Sequence, residues 1–425
     1  MKTKVLKGIA AILMVITVGN IQAQNQEEKP LRNFQLSFFP LVGTEGSQTD
    51  NYRYQFSLNL FMGITGGVKG FEAGGFLNIN QGNVEGFQVS GFGNIVNGNF
   101  QGLQGAGFIN VNKGKTQGIN LAGFMNVMRE GHEGLMGSGF MNVAHGDVSS
   151  VSGAGFMNVT HGNLKGVNGA GFMNVTSGDA EAVQGAGFMN VAGGNMKGVF
   201  AAGFANVAAK DAEAVQAAGF MNVARDLQGV QVAGFLNVAR KVEGIQIGFI
   251  NISDTISGVP LGFLSITRKG GLRQFEFGVN ELLLASVSFK IGVPVFYNIF
   301  SLGILPFSDN MQYARGYGIG TRIDLTTTSF MHLEAHSSFV FTDGNWRSWG
   351  NNNLNEFRAL YTFNVGERIQ LFGGPVLYNH WYRPSGGRTA SEMELATWTF
   401  HENSFREWNS QWWAGARAGI NIILR

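Results

Sequence analysis

The chain has 425 residues, a formal net charge of +2 and only 14% charged residues. No run of Lys or Arg appears, which excludes nucleic acid as a partner, and the lack of cysteine excludes a disulfide framework and thiolate metal sites. Glycine is abundant at 63 residues but proline numbers 7, which excludes a collagen-like chain.

At the N-terminus, Lys2, Lys4 and Lys7 precede an apolar run from Gly8 to Val18, and Asn20 to Ala23 offers a small-residue cleavage site before Gln24. This is the pattern of a secretory signal peptide over residues 1–23, so the mature protein is expected to be exported. Residues 24–66 read as N-terminal β-strands. Tyr52, Tyr54, Phe56, Leu58 and Leu60 alternate with Arg53, Gln55, Ser57 and Asn59, and Phe34 to Pro40 reads as the hairpin partner of that strand.

From 67 to 267 the chain is a repeat array. The unit Gly-Phe-x-Asn-hydrophobic begins at Gly75 and recurs at steps of 16 residues through Gly219, then at 15, 14 and 14 to Gly234, Gly248 and Gly262. Pairs such as Gly146-Asp147, Gly162-Asn163, Gly178-Asp179 and Gly194-Asn195 suit tight turns that need positive φ. About ten Gly-rich residues remain between turns, which fits strands and not a helix. Two arrangements compete. A β-solenoid makes each unit one coil, whereas a meander makes each unit one antiparallel strand. The solenoid is favoured because it gives every unit the same surroundings, as strict repetition requires.

Burial of one Phe, one Met or Leu and two Val per unit returns roughly 1.5–3 kcal/mol each. The glycines cost about 0.5–1 kcal/mol each, so the array is favourable once neighbours stack. The repeated asparagines Asn78, Asn94, Asn110, Asn126, Asn142, Asn158, Asn174, Asn190, Asn206, Asn222, Asn237 and Asn251 read as a structural ladder, amide to amide, and not as a ligand site.

Residues 268–425 return to period two. Tyr317, Ile319, Thr321, Ile323 and Leu325 oppose Gly318, Gly320, Arg322 and Asp324; Met331, Leu333 and Ala335 oppose His332, Glu334 and His336; Ala414, Ala416, Ala418, Ile420 and Ile422 oppose Arg417 and Asn421. Strands of about 9–11 residues with apolar residues outward and polar ones inward span a bilayer. Tyr313, Tyr317, Phe341, Trp346, Trp349, Trp412 and Trp413 fit interfacial girdles. A soluble sandwich or barrel with an apolar core is the competing reading. The fold class is therefore all-β: a Gly-rich β-solenoid-like array flanked by antiparallel outer-membrane-type barrel strands. N- and C-terminal strands together are expected to close the barrel, with the array inserted between its second and third strands. The Gly-Ala-Gly tract of each repeat reads as poorly suited to face lipid.

Chemistry-bearing motifs are absent: no His-Glu-x-x-His, no phosphate loop and no Gly-x-Ser-x-Gly elbow. No catalytic residue, cofactor site or metal site is expected. His145 and His161 occupy equivalent positions in adjacent units and read as exposed turn residues more than a shared metal site. His332, Glu334 and His336 share one strand face, which a polar lumen explains.

The segments from Gly244 to Ile252 and from Gly258 to Ile266 resemble the Gly-Val-Gln-x-Gly-Leu-x-Asn repeats of bacterial surface-repeat-containing proteins, and the closing stretch Gly415 to Ile422 is similar to their strand-rich C-terminal portions. The resemblance implies an outer-membrane or cell-surface location in a Gram-negative envelope and supplies no catalytic residue. The expected function is a non-catalytic envelope protein that is structural or binds a surface protein or glycan, with membrane lipid around its barrel. The alternative is a pore or transporter whose barrel carries the array as plug or extension, and a periplasmic or secreted module is the alternative location.

Overall fold

The computed structural model describes residues 29–280, 285–305, 312–342, 352–383, 398–405 and 407–424. The signal segment 1–23, Trp346 and Trp349 lie outside the described residues. The chain forms two compact units, Met1–Gly171 and Phe172–Arg425. Together they carry about 13 turns of β-solenoid, and the second also holds a closed antiparallel barrel of 8 strands.

In the first unit each 16-residue repeat makes one short and one long strand, for example Met157–Thr160 and Leu164–Ala170. Long strands pair in parallel with long strands, Val148 opposite Leu164 and Ala154 opposite Ala170. Short strands pair with short strands, Met141 opposite Met157 and Asn142 opposite Asn158. Residues one repeat apart therefore stack on their own kind. This is the solenoid arrangement, and it decides against the meander.

Glycine recurs where successive coils touch. A Cβ on Gly139 would stand 2.1 Å from the carbonyl oxygen of Gly123, so the corner before each Phe admits no side chain. Gly118 combines a φ of +120° with the same close approach, 2.0 Å from Gly102 O. The turn pairs differ from expectation. Gly146 and Gly162 have no positive φ, and a Cβ on Gly162 would instead meet Asp147 Oδ1 at 2.5 Å. Glycine there makes room for the stacked turn below it.

The N-terminal strands also correct the expected topology. Leu31–Phe39 pairs in parallel with Arg53–Asn59, which pairs in parallel with Gly67–Gly74. They are therefore the first strands of the solenoid ladder and neither a hairpin nor part of the barrel. Period-two alternation is the same in both kinds of strand and does not reveal the direction of the partner.

One position of the coil interior is chemically out of place. Phe100, Thr116, His132, Val148 and Leu164 form one stacked interior column, and all are buried. Burial lowers the His132 imidazole to about 4, and neither ring nitrogen has a hydrogen-bond partner in the coil. The folded state thus holds His132 neutral while the unfolded chain takes up a proton near pH 6.5. Its contribution to stability is intact above pH 6.5 and is lost as pH falls toward 4, by ~3 kcal/mol when complete. His132→Val, which copies the next coil, should remove that part of the acid sensitivity. Chemical unfolding of the full chain in detergent at pH 7 and pH 4 checks this: equal pH dependence in parent and variant would count against it.

In the second unit the coils shorten. The 15-residue repeat keeps two strands, Met221–Val223 and Asp226–Ala233, whereas in the 14-residue repeats, which lack the Gly-Asp turn, short and long strands fuse into Leu236–Ile247 and Ile250–Leu261, each 12 residues. The array ends with Leu264–Thr267. The barrel then begins at Leu272–Asn280 and continues through Ala285–Val293, Phe296–Leu305, Gln312–Asp324, Ser329–Thr342, Asn352–Asn364, Ile369–Tyr382 and Trp408–Ile423. The last strand pairs antiparallel with the first, Gln274 opposite Ile423 and Asn280 opposite Arg417, which closes the cylinder. All eight strands come from the C-terminal segment. His401–Phe405 adds a short strand beside the start of the last one.

The barrel is polar inside and apolar outside. Along the first strand Phe275, Phe277 and Val279 are exposed, while Gln274 and Glu276 are buried in the lumen. Leu333, Phe357, Tyr361, Phe363, Ile420 and Ile422 continue the apolar exterior. The girdle assignment needs correction at three residues: Trp413 is buried in the lumen, its ring 5.0 Å from Tyr378 and stacked on it, Phe341 is buried as well, and Tyr317 lies at the middle of its strand.

Candidate functional site

Three polar assemblies stand out, and the first is the asparagine ladder. In the first unit Asn78 donates to Asn94 Oδ1, and the pattern repeats through Asn110, Asn126 and Asn142 to Asn158, each step 2.9 Å. The second unit has its own run, Asn174 to Asn190, Asn206, Asn222, Asn237 and Asn251, at 2.9–3.0 Å. Each Nδ2 also donates to a backbone carbonyl of the following long strand, as Asn142 does to Gly153 O at 2.9 Å. Donors and acceptor are consumed inside the coil and the side chains are buried. Nothing is left for a ligand, so the row closes the bend of each coil.

A parallel glutamine row was not anticipated. Gln104 donates to Gln88, and in the second unit Gln246 donates to Gln231 and Gln231 to Gln216, at 2.7–2.8 Å. The signal was present, since these glutamines share one position of the coil, but other units carry Asn120, Met136, Ser152, Asn168 or Phe200 there and blur it.

The second assembly is the turn edge of the coils. Asn or Asp side chains at the turn accept from the backbone N–H one coil on, as Asp147 does from Asn163 at 2.7 Å and Asp179 from Asn195 at 2.8 Å. His145 and His161 lie on this edge, exposed, their rings stacked at 4.7 Å. In the second unit the edge carries charge. Lys197 faces Glu213, and Arg225 and Arg240 make two-pronged pairs with Asp211 and Asp226 at 2.6–2.9 Å. The Arg225 guanidinium holds the Asp211 carboxyl below its ordinary range. A groove of about 500 Å³ runs along these side chains, lined by Asp179, Glu181, Lys197, Glu213, Gln228 and Glu243 among others. It offers donors and acceptors at coil spacing, which suits a polymer with repeated polar groups.

The third assembly fills the barrel. Lys290 bridges Glu276, at 2.5 Å, and Glu334. Arg417 pairs with Glu276 at 3.0 Å and donates to Ser286 Oγ at 2.7 Å. Arg358 reaches Glu334 at 3.4 Å and Glu356 at 2.6 Å. Tyr297 donates to Glu334 at 2.9 Å and lies 2.7 Å from His332 Nδ1. Three cations thus meet three carboxylates, and all six side chains are at most 1% exposed. Gly316, Gly318 and Gly320 leave the space that His336 and Tyr297 occupy, since a Cβ on Gly320 would sit 2.4 Å from Tyr297 Cζ. Toward the rim opposite Leu272 and Ile423, Ala314, Val340, Leu354, Val376, Tyr378 and Trp413 form a packed apolar cluster. The lumen is occupied by side chains at both levels.

No protein-family model, curated protein or solved structure matches this chain.

The residues singled out from sequence therefore fall into separate places. The ladder asparagines lie inside the coils, His145 and His161 on the turn edge, and His332, Glu334 and His336 in the lumen. Glu276 and Lys290 escaped sequence reading, and Arg417 was visible only as the polar face of the last strand, because Glu276 and Arg417 are 141 residues apart and meet only through barrel closure. The local signal is a charged residue at an alternate position of an apolar strand, Glu276 between Phe275 and Phe277.

Proposed function

We propose that this is a non-catalytic envelope protein, anchored in an outer membrane by its barrel and presenting the charged edge of its solenoid to a glycan or protein partner. The observation that carries the reading is the polarity of the barrel. Phe277, Leu333, Phe357, Tyr361, Phe363 and Ile420 are exposed on its outer wall while Glu276, Lys290, Glu334, Arg358 and Arg417 are enclosed. A water-soluble barrel would reverse this order, because exposed aromatics gain nothing from water and buried charges are costly. Surrounding lipid makes the arrangement favourable.

The rims support an orientation. The connections 294–295, 325–328 and 365–368 lie at one rim, where the chain also enters at Leu272 and leaves after Ile423. At the other rim the strands ending at Asn280, Leu305, Thr342 and Tyr382 are separated in sequence from the next barrel strand by 281–284, 306–311, 343–351 and 383–407, and all but the first are longer than any connection at the short-turn rim. In outer-membrane barrels the short turns face the periplasm, so the solenoid belongs on that side. Membership of the surface-repeat proteins is part of the same proposal. A pore has the filled lumen against it, since eight-stranded barrels leave little room and this one is packed with paired charges.

Fractionation of expressing cells with a heat-modifiability gel tests the reading. The protein is expected in the outer-membrane fraction, running faster unheated than boiled, with no conductance step in planar bilayers. Recovery as a soluble periplasmic protein would overturn the membrane anchor, and steady single-channel conductance would replace the binding role with a pore.

A further inference from the structure

The second unit's coils are amphipathic around their circumference. Every Asp, Glu, Lys and Arg between residues 172 and 267, from Asp179 to Asp254, falls on or next to the turn edge. The opposite edge is wholly apolar. In the coil around Phe204 the outward positions run Val199, Ala201, Gly203, Phe204 and Val207, with Lys197 and Lys210 appearing only as the chain returns to the turns.

The tip of that edge is a column of phenylalanines. Rings from Phe172 to Phe249 stack coil on coil with centroids 4.9–5.9 Å apart, and Phe263 continues the column. Phe204 and Phe220 remain 37% and 38% exposed, and Val199 and Val215 beside them 42% and 41%. A continuous apolar strip of this kind marks an interaction surface.

What the strip meets at its end identifies the occupant. Phe263 stacks on Tyr317 at 5.4 Å and 18°, and sets its ring edge-on to Phe300 at 5.3 Å. Both are on the outer wall of the barrel, and Tyr317 lies at the middle of its strand, Gln312–Asp324, not at the rim. From Phe263 the chain runs through Leu264–Thr267 to Arg268 and Lys269 and enters the barrel at its short-turn rim. The phenylalanine edge is thus level with the apolar girth of the barrel, and the charged edge is level with its rim.

We propose that these coils lie edge-on in the lipid leaflet beside the barrel, phenylalanines among the acyl chains and charged turns at the headgroups and water. The proposal rests on the membrane reading of the barrel and adds a second lipid contact to it. The polar rows are compatible with this setting because the Asn amides hydrogen-bond within the coil and the Gln side chains are enclosed in its interior, away from lipid. The charged groove is left facing water, open to a partner.

The chain has no cysteine, so one substitution places a unique label. Nitroxide would be attached at Phe204→Cys, Lys210→Cys and the barrel-wall variant Phe357→Cys, with the full chain in phosphatidylcholine–phosphatidylglycerol vesicles. Collision with oxygen reports lipid, and collision with a water-soluble nickel complex reports solvent. Labels at 204 and 357 should both favour oxygen, and the label at 210 should favour nickel, by about tenfold in the ratio of the two collision rates. A lipid-like 357 with a water-like 204 overturns this inference and leaves the anchor standing. Water-like signals at both sink the membrane reading and this one with it. Shielding of 204 from both reagents, with spin–spin broadening between copies, assigns the edge to a second copy and overturns the lipid contact. Val199→Cys repeats the test should Phe204→Cys fail to give a heat-modifiable band.

Discussion

Lys290→Met is expected to abolish the folded barrel. The ammonium sits between Glu276, at 2.5 Å, and Glu334, and all three groups are enclosed. Methionine fills similar volume but leaves two carboxylates facing each other with one countercharge fewer. Removing one partner from a buried ion pair costs about 3–5 kcal/mol, and here one side chain serves two pairs. That is comparable to the whole stability of an ordinary domain. The measurement is the heat-modifiable band of the purified variant, which should disappear or melt at much lower temperature. Adding Glu334→Gln to Lys290→Met should recover part of the loss, because the uncompensated charge is gone. A single variant that melts like the parent would show that the lumen is wet enough to screen these groups.

Asn142→Ala is expected to cost about 2–5 kcal/mol. Asn142 donates to Asn158 Oδ1 and to Gly153 O, both at 2.9 Å, and accepts from Asn126 at 2.9 Å. Alanine leaves those two acceptors without this donor in a closed interior, at ~1–3 kcal/mol each. Since each coil is held only by its neighbours, the damage separates the stack on either side. Asn251→Ala offers the contrast, because its onward contact to Ser265 is a weak 3.5 Å. Chemical unfolding of the full-length variants should rank Asn142→Ala well below Asn251→Ala, and equal losses would argue against a cooperative ladder.

Much of the fold was legible because strict repetition carries information about surroundings. Phe108, Phe124 and Phe140 recur at one spacing, so each must see the same neighbours, and parallel stacking alone provides them. The ladder asparagines follow from the same logic. The charged lumen was only partly legible. His332, Glu334 and His336 were visible as one face of one strand, but their partners Lys290 and Tyr297 lie on strands 35–44 residues away.

The amino-acid sequence by itself determined the coil period, the identity of the stacked residues and the two-residue alternation of the C-terminal strands, since these depend on neighbours along the chain and on repetition. Tertiary structure alone decided the rest. It assigned Leu31–Phe39 and Arg53–Asn59 to the solenoid, because alternation does not say whether a partner strand runs parallel or antiparallel. It closed the barrel from C-terminal strands only, and that closure brought Arg417 onto Glu276. It also turned the Gly-Ala-Gly tract toward the phenylalanine edge and gathered the charges at the opposite one, because one turn of a coil folds a linear sequence into two sides that no period along the chain displays.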